Sequence, residues 1–271
     1  MSPSTDSTAT AWTPDDAASR IAVPGEHDDK YSRGVLGMIT GSAMYPGAAV
    51  LGVEAALRTG VGMVRYLGEA GGLVLQRRPE VVTADGRVQA WLLGSGMDAV
   101  DRQLDPLTRA LEQGVPVVLD GGALDLHDRA EGPVVITPHH GELARLLGVP
   151  RERIAGDPEG FARRASDDLG VTVLLKGHTT YVAGPGISLS ASSAPTWLAT
   201  AGAGDALAGI LGALVATHSA AIADDPAELA RLAATAAVVH GLAAARASAG
   251  GPLTILDLAA ALPATIAELL A

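Results

Sequence analysis

The sequence predicts an α/β fold, a mostly parallel sheet with helices covering both faces. Three observations carry this. Short, near-continuous apolar runs alternate with longer segments of helical periodicity along most of the chain, the order that builds a parallel sheet between two helical layers. The apolar runs end in small, polar or charged residues, and in open α/β sheets ligands bind beyond those strand ends. The chain of 271 residues is 48% hydrophobic and 18% charged, enough to bury a substantial core. Aromatics are only 3%, with the single Phe at Phe161, so that core is built of Ala, Val and Leu.

Residues 1–11 are polar and rich in Ser and Thr and read as a disordered tail. A lead-in with Pro14 and Pro24 follows, to residue 27. The run 35–40 reads as the first buried strand. Pro46 opens an amphipathic helix over 46–58, where its missing N–H is lost from the first turn at no cost. Strands follow over 63–67 and 88–93, the second running into Gly94-Ser95-Gly96. A helix is expected over 100–113, stopped by Gly114. Strands over 115–120 and 134–137 come next, then a short helix over 141–147, a helix over 158–169 and a strand over 171–175. The runs 180–183 and 187–190 flank a Gly-Pro-Gly turn and predict a hairpin. The remainder is helical over 205–217, 226–249 and 255–270, the last interrupted by Pro263. No internal repeat or linker divides the chain, so residues 28–271 read as one domain.

The formal charge of −11 and the lack of a basic patch argue against nucleic acid or an anionic membrane as partner. The chain contains no Cys, which excludes disulfides, thiolate catalysis and Cys-based metal sites and fits a cytoplasmic protein. No signal-peptide pattern appears at the N-terminus. The apolar run after Asp205 breaks at His218, too short to span a bilayer.

The most informative stretch is LATAGAGDALAGILGALVA, residues 198–216. It reads as a glycine-rich turn opening into an apolar helix, with free N–H groups and the helix dipole making an anion site. Gly202 and Gly204 let backbone approach a bound group. An acid at such a mouth would repel phosphate, but Asp205 makes sense as the base for a hydroxyl that attacks that phosphate. Read alone, the loop serves equally as a helix with an acidic cap. Of 19 Lys and Arg residues only Lys30 and Lys176 are lysine, both in loops, and a lysine is a compact charge suited to phosphate. KGHTT (176–180) offers ammonium, N–H and hydroxyl donors for a nucleotide, or is a polar strand-to-hairpin turn. TPHHGE (137–142) sets His139 to hydrogen-bond a substrate and Glu142 to orient Mg²⁺ through water, or forms a capped helix start. Asp120, ending a strand, either holds a metal or caps a turn. Arg77-Arg78-Pro79-Glu80 reads as a solvated turn or a subunit contact. His27, His127, His218 and His240 are scattered and receive no chemistry. No P-loop or Rossmann fingerprint is present.

Six segments taken together, DDKYSRGVLGMITGS, YPGAAVLGVEAALRTGVGMVR, LLGSG, ITPHHGELARLLG, VLLKGHTT and WLATAGAGDALAGIL, resemble the ADP/ATP-dependent NAD(P)H-hydrate dehydratases of the ribokinase-like superfamily. The resemblance runs from about residue 28 to the C-terminus and implies a three-layer αβα sandwich. It implies dehydration of (6S)-NADHX and (6S)-NADPHX to NADH and NADPH, with ADP or ATP as phosphate donor and Mg²⁺ as cofactor. It casts Asp205 as the catalytic base that also contacts substrate, and Gly202, Ala203 and Gly204 as the anion hole. Ala48, Gly96 and His139 become substrate contacts. Lys176, Gly177, His178, Thr179, Thr180 and Gly204 become the nucleotide site. Ala203 stands where many members carry Ser or Thr, and Gly94-Ser95-Gly96 replaces Gly-Pro-Gly, which should loosen that turn. The resemblance further implies a homo-oligomer, often a tetramer. Many relatives carry an N-terminal epimerase for which this length leaves no room, implying a separate epimerase as functional partner. The alternatives are another ribokinase-like small-molecule kinase, or a nucleotide sensor without turnover.

Overall fold

The computed structural model describes residues 9–100 and 102–271, so most of the predicted tail and Asp101 lie outside the described residues. Nine strands form one sheet: β1 (Thr10–Ala11), β2 (Val35–Ile39), β3 (Met63–Tyr66), β4 (Ala90–Leu93), β5 (Val117–Leu119), β6 (Val134–Ile136), β7 (Thr172–Leu175), β8 (Thr180–Gly184) and β9 (Ile187–Ala191). Their order is β1-β9-β8-β7-β6-β5-β4-β2-β3. Only β8 runs antiparallel to its neighbours, as the predicted hairpin requires. One row of residues crosses the sheet in register, Ile39, Leu93, Leu119, Ile136 and Val173. Thr40, Gly94, Asp120 and Thr137 each follow that row by one residue, so four strands deliver their loops to one rim.

Eleven α-helices are described: α1 (Pro14–Ala18), α2 (Pro46–Thr59), α3 (Gly71–Arg77), α4 (Leu104–Leu111), α5 (His140–Leu147), α6 (Arg151–Gly156), α7 (Pro158–Leu169), α8 (Ala203–Thr217), α9 (Ser219–Asp224), α10 (Glu228–Ser248) and α11 (Ile255–Leu269). Strand side chains alternate between faces. Leu36, Met38, Leu92, Val118, Val135 and Leu174 pack with α2, α8, α10 and α11. Val35, Leu93, Val117, Leu119, Ile136 and Val173 pack with α4, α5, α6 and α7 on the other face. This is the three-layer sandwich read from the sequence. Helix α8 is buried throughout residues 206–216 and crosses α2 closely, because Gly209 faces Gly52 with no room for a Cβ. Helix α10 is long and apolar enough to cross a membrane, but 83% of its apolar window is buried inside the fold, where it serves as a core helix.

Three expectations change. Pro263 does not interrupt α11. Leu258, Ala259 and Leu262 before it and Thr265 after it are all buried. Packing on both sides of the kink site outweighs a lost hydrogen bond that costs about 3 kcal/mol in isolation. Helix α4 begins at Leu104 rather than 100, which keeps Pro106 within the first turn where proline is tolerated. The segment 10–18 does not trail away. β1 pairs with β9, Trp12 Nε1 donates to Thr235 Oγ1 at 3.0 Å, and a capping box between Thr13 and Asp16 starts α1, whose Ala17 is fully buried.

Candidate active site

The rim beyond the strand row gathers the charged residues of interest. Asp120 follows β5 and is almost fully buried. Its Oδ1 accepts from Lys176 Nζ at 2.8 Å and from Thr137 Oγ1 at 2.7 Å. It caps no helix, contrary to one of its sequence readings, since its side chain makes no cap bond to the following 3-10 turn. Burial alone would raise its pKa, but the Lys176 charge and these donors hold it below the ordinary value. Lys176 is opposed by burial, yet Asp120 and Glu142 keep its pKa above normal, so it is a charged ammonium. Its Nζ also lies 3.8 Å from Glu142 Oε2.

The mouth of α8 faces this ammonium. Gly202 precedes the helix with φ +90°, a conformation that favours glycine, and supplies no side-chain cap. No side chain thus caps the first-turn N–H groups, those a helix leaves without intrahelical partners, and of these Ala203 N reaches back to Thr200 O in a long bond of 3.4 Å. A Cβ on Gly204 would come to 3.4 Å from Lys176 Nζ, so the glycine lets the charge lie against the helix mouth. Asp205 is half-buried in the first turn. Burial, then the negative charge of Asp120, push its pKa up to about 6 against the opposing pull of Lys176. A carboxylate so tuned is ionised at neutral pH yet more basic than a surface aspartate, as a general base requires.

His139 and Glu142 form a reciprocal cap on α5. The His139 Nδ1 accepts from Gly141 N at 2.9 Å and Glu142 N at 3.1 Å, while Glu142 Oε2 accepts from His139 N at 2.7 Å. Accepting at Nδ1 places the imidazole proton on Nε2, which leaves Nε2 as the donor of the ring. A backbone bridge between His139 and Lys176 ties TPHHGE to KGHTT. The capped helix start read from TPHHGE is present, and its two cap residues lie beside Lys176. Among the described residues no cluster of three metal-binding side chains exists. Glu142 spends Oε2 on the cap and on Lys176, which leaves Oε1 for an outer-shell contact through water.

Two cavities flank this centre. One of about 500 Å³ is lined by Gly41, Ser42, Tyr45, Met97, Asp98 and Gln103 among others. Gly96 and Ala48 meet beside it: a Cβ on Gly96 would collide with the Ala48 Cβ, and Gly96 has φ +66°. The Gly94-Ser95-Gly96 turn is not loose. Gly41 N donates to Ser95 O at 2.7 Å, Met97 N and Gly122 N to Gly94 O, and Gly94 N to Ile39 O, so backbone bonds replace the constraint of a proline. The second cavity, about 280 Å³, is lined by His139, Lys176, Gly177, His178, Thr180 and Gly204 among others. Thr179 lies within the same loop, partly buried.

Lys30 is not brought here. It stacks over Tyr31 at 5.2 Å, and its backbone packs against Gly62 at the opening of β3, the opposite end of the strands. The Arg77-Arg78 segment is no simple solvated turn. Both guanidiniums, with Arg58, bind Glu54, which is buried on α2. Two contributors escaped the sequence reading. Thr137 was seen only as part of a motif, and its hydroxyl supports Asp120 from the neighbouring strand. His240 of α10 lines the second cavity. Its one sequence signal, a histidine inside an otherwise apolar helix, does not say which cavity that helix borders.

A family model described as NAD(P)H-hydrate dehydratase matches residues 36–263. The chain is 45% identical over 215 residues to the bifunctional NAD(P)H-hydrate repair enzyme of Mycobacterium tuberculosis, covering 74% of this chain and 45% of that one. It thus spans about half the length of the first curated relatives it matches. It is 35% identical over 213 residues to the ADP-dependent (S)-NAD(P)H-hydrate dehydratase of Neisseria meningitidis, covering 70% and 72% of the two chains. A crystal structure of the ADP/ATP-dependent NAD(P)H-hydrate dehydratase from Bacillus subtilis, co-crystallized with ATP/Mg²⁺, superposes with TM-score 0.87 at 24% identity, covering 97% of this chain and all of that one. At this identity the likeness shows the fold, the ribokinase-like sandwich.

Proposed function

The chain belongs to the NAD(P)H-hydrate dehydratase family, and from that premise we propose that it dehydrates (6S)-NADHX and (6S)-NADPHX, consuming ADP or ATP. The observation that carries this is Asp205: a carboxylate with pKa about 6, in the first turn of an uncapped helix, beside a lysine that borders a nucleotide-sized cavity. The hydrated dihydronicotinamide enters the cavity beside Gly96 and Ala48, and the Nε2–H of His139 orients it. Asp205 takes the proton of its hydroxyl as the oxygen attacks the terminal phosphorus of the nucleotide. The phosphorus–oxygen bond to the leaving nucleotide breaks, giving AMP from ADP or ADP from ATP. The N–H groups of Gly202, Ala203 and Gly204 and the Lys176 ammonium stabilise the charge on the transferring phosphoryl group. The new ester then loses phosphate with the bonding pair of its carbon–oxygen bond, the neighbouring carbon loses a proton, and the ring double bond returns.

Lys176, Gly177, His178, Thr179 and Thr180 hold the nucleotide in this reading. Mg²⁺ belongs to the same proposal, supported by the ATP/Mg²⁺ complex of the Bacillus subtilis enzyme. It would neutralise phosphate charge, with Glu142 holding one of its waters, as suits an ion carried by phosphates rather than by a protein cage. The bifunctional relatives support a link to an epimerase, the family resemblance supports a homo-oligomer, a tetramer, and the lack of Cys supports a cytoplasmic location. The test is absorbance at 340 nm with (6S)-NADHX, Mg²⁺ and protein, with ADP, ATP or no nucleotide. A nucleotide-dependent rise supports the dehydratase and identifies the donor. Nucleotide binding with no rise would favour a small-molecule kinase or a sensor.

A further inference from the structure

The loops that leave β2 and β3 at the rim of the sheet are tied to each other. A backbone bond runs from Leu67 N to Met38 O at 2.8 Å. Beyond it the chain passes through Thr40 on one side and Ala70 on the other. The phenol of Tyr66 joins these two: its O–H donates to Thr40 O, and its oxygen accepts from Ala70 N at 3.2 Å. Tyr66 is buried, so water does not compete for either bond. Burial also pushes its pKa up to about 12, so the donor proton stays in place at neutral pH.

This clasp lies behind one wall of the larger cavity. Gly41 and Ser42, which follow Thr40, line that cavity, and so do Leu67, Gly68 and Glu69, which separate Tyr66 from Ala70. Gly68 sits so close to the clasp that a Cβ there would collide with Tyr66 Oη and Thr40 O. From the same turn Glu69 Oε1 accepts from Gln103 Nε2 at 2.8 Å, and Gln103 lines the cavity from the segment before α4. The phenol therefore fixes backbone on two sides of this wall and, through the turn, the start of the Glu69–Gln103 link.

We propose that Tyr66 is a positioning residue for the hydrated dinucleotide, its hydroxyl locking the loops after β2 and β3 together and so presetting the wall against which the substrate binds. The proposal rests on the reading of this cavity as the substrate site. The hydroxyl lies behind the wall, so it acts on substrate affinity and leaves the phosphoryl-transfer groups around Asp205 in place. A wall held in its binding geometry before the substrate arrives spares the ordering cost that a loose loop would add to binding.

Tyr66→Phe tests it, since the ring and its packing remain and only the hydroxyl goes. Steady-state kinetics at 340 nm, with (6S)-NADHX varied against saturating Mg²⁺ and the nucleotide that wild type uses, give a KM raised ~3–10-fold, the scale of one neutral hydrogen bond. The kcat stays within twofold, as for a loss of uniform substrate binding, and calorimetric affinity for ADP is unchanged. A variant with a lower Tm but the wild-type KM would make the phenol a structural brace only, and the proposal falls. It falls equally if kcat or ADP affinity drops by the same factor, because the effect is then not confined to the substrate wall. A wild type that binds ADP yet gives no nucleotide-dependent rise would instead overturn the substrate reading of the cavity, and the Tyr66 role with it. Should the variant not fold, amide hydrogen exchange on wild type decides. The Ala70 N–H exchanges slowly in the free protein and is not slowed further by saturation with the product NADH, as a preset wall requires. Fast exchange in the free protein overturns the proposal.

Discussion

Replacing Asp205 by Asn sends activity and stability in opposite directions. In the folded protein the Asp205 pKa is raised from 3.8 to about 6, chiefly by burial and then by the charge of Asp120. Ionising this group therefore costs more in the folded state than in the unfolded one. Its penalty is absent below pH 4, grows as pH rises towards 6, and is constant above. A shift of this size corresponds to at most about 3 kcal/mol, and partial solvent screening reduces it to about 1–2 kcal/mol. Asn has nearly the same shape and no charge, so at pH 7.5 the variant gains about that much, a rise of roughly 2–5 °C in Tm. At pH 4 the two proteins unfold alike. Over the same range the variant loses its proton acceptor, and kcat/KM falls by roughly 10²–10⁴. The wild-type acid limb, with its midpoint near pH 6, disappears. The assays are the 340 nm rise between pH 5 and 8.5 and thermal unfolding at pH 4 and 7.5. A variant that is less stable than wild type at pH 7.5, or that keeps more than a tenth of its activity, refutes the assignment of Asp205 as a strained base.

Three further outcomes follow from the same geometry. Lys176→Met leaves Asp120 buried without its cation, so urea unfolding shows a loss of about 2–4 kcal/mol that grows between pH 4 and 8 as Asp120 is forced to ionise unpaired; a pH-independent loss would count against the pair. Gly96→Ala drives a Cβ into Ala48 at a positive φ, so KM for the hydrated dinucleotide rises and stability drops by about 1–3 kcal/mol, while ADP affinity measured by calorimetry stays within twofold. His139→Asn retains a side chain that caps α5, so unfolding changes by no more than about 0.5 kcal/mol, whereas kcat/KM falls because the Nε2–H donor is gone; a large stability loss would mean the histidine matters mainly to the helix.

Much of the architecture was legible because the signals are local. The buried strands are short apolar runs, and Pro46 marks a helix start through its own backbone preference, whereas the helix expected to run to Gly114 ends already at Leu111. The glycine-rich mouth of α8 was readable for the same reason, since its chemistry lies in consecutive residues. Local rules misjudged Pro263 and residues 10–18, where contacts with distant parts of the chain outweigh the intrinsic preference. The Arg77-Arg78 pair looked solvated because its partner, Glu54, sits more than twenty positions earlier.

By itself, the amino-acid sequence determined the fold class, the strand ends that gather the charged residues, and the presence of one carboxylate in the first turn of a helix opened by glycine. Only the tertiary structure decided what that carboxylate is. Its pKa depends on how deeply α8 is buried and on the distances from Asp205 to Asp120 and Lys176, two residues carried by other strands. It likewise decided that Lys176 lies against Asp120 and the mouth of α8 while Lys30 does not, and that a histidine of α10 lines the same cavity as a loop sixty residues earlier. The physical reason is that propensity and hydrophobic patterning act between neighbours in the chain. Electrostatic and hydrogen-bonding strength depends on separation and burial in space, which exist only once the sheet has brought its strand ends together.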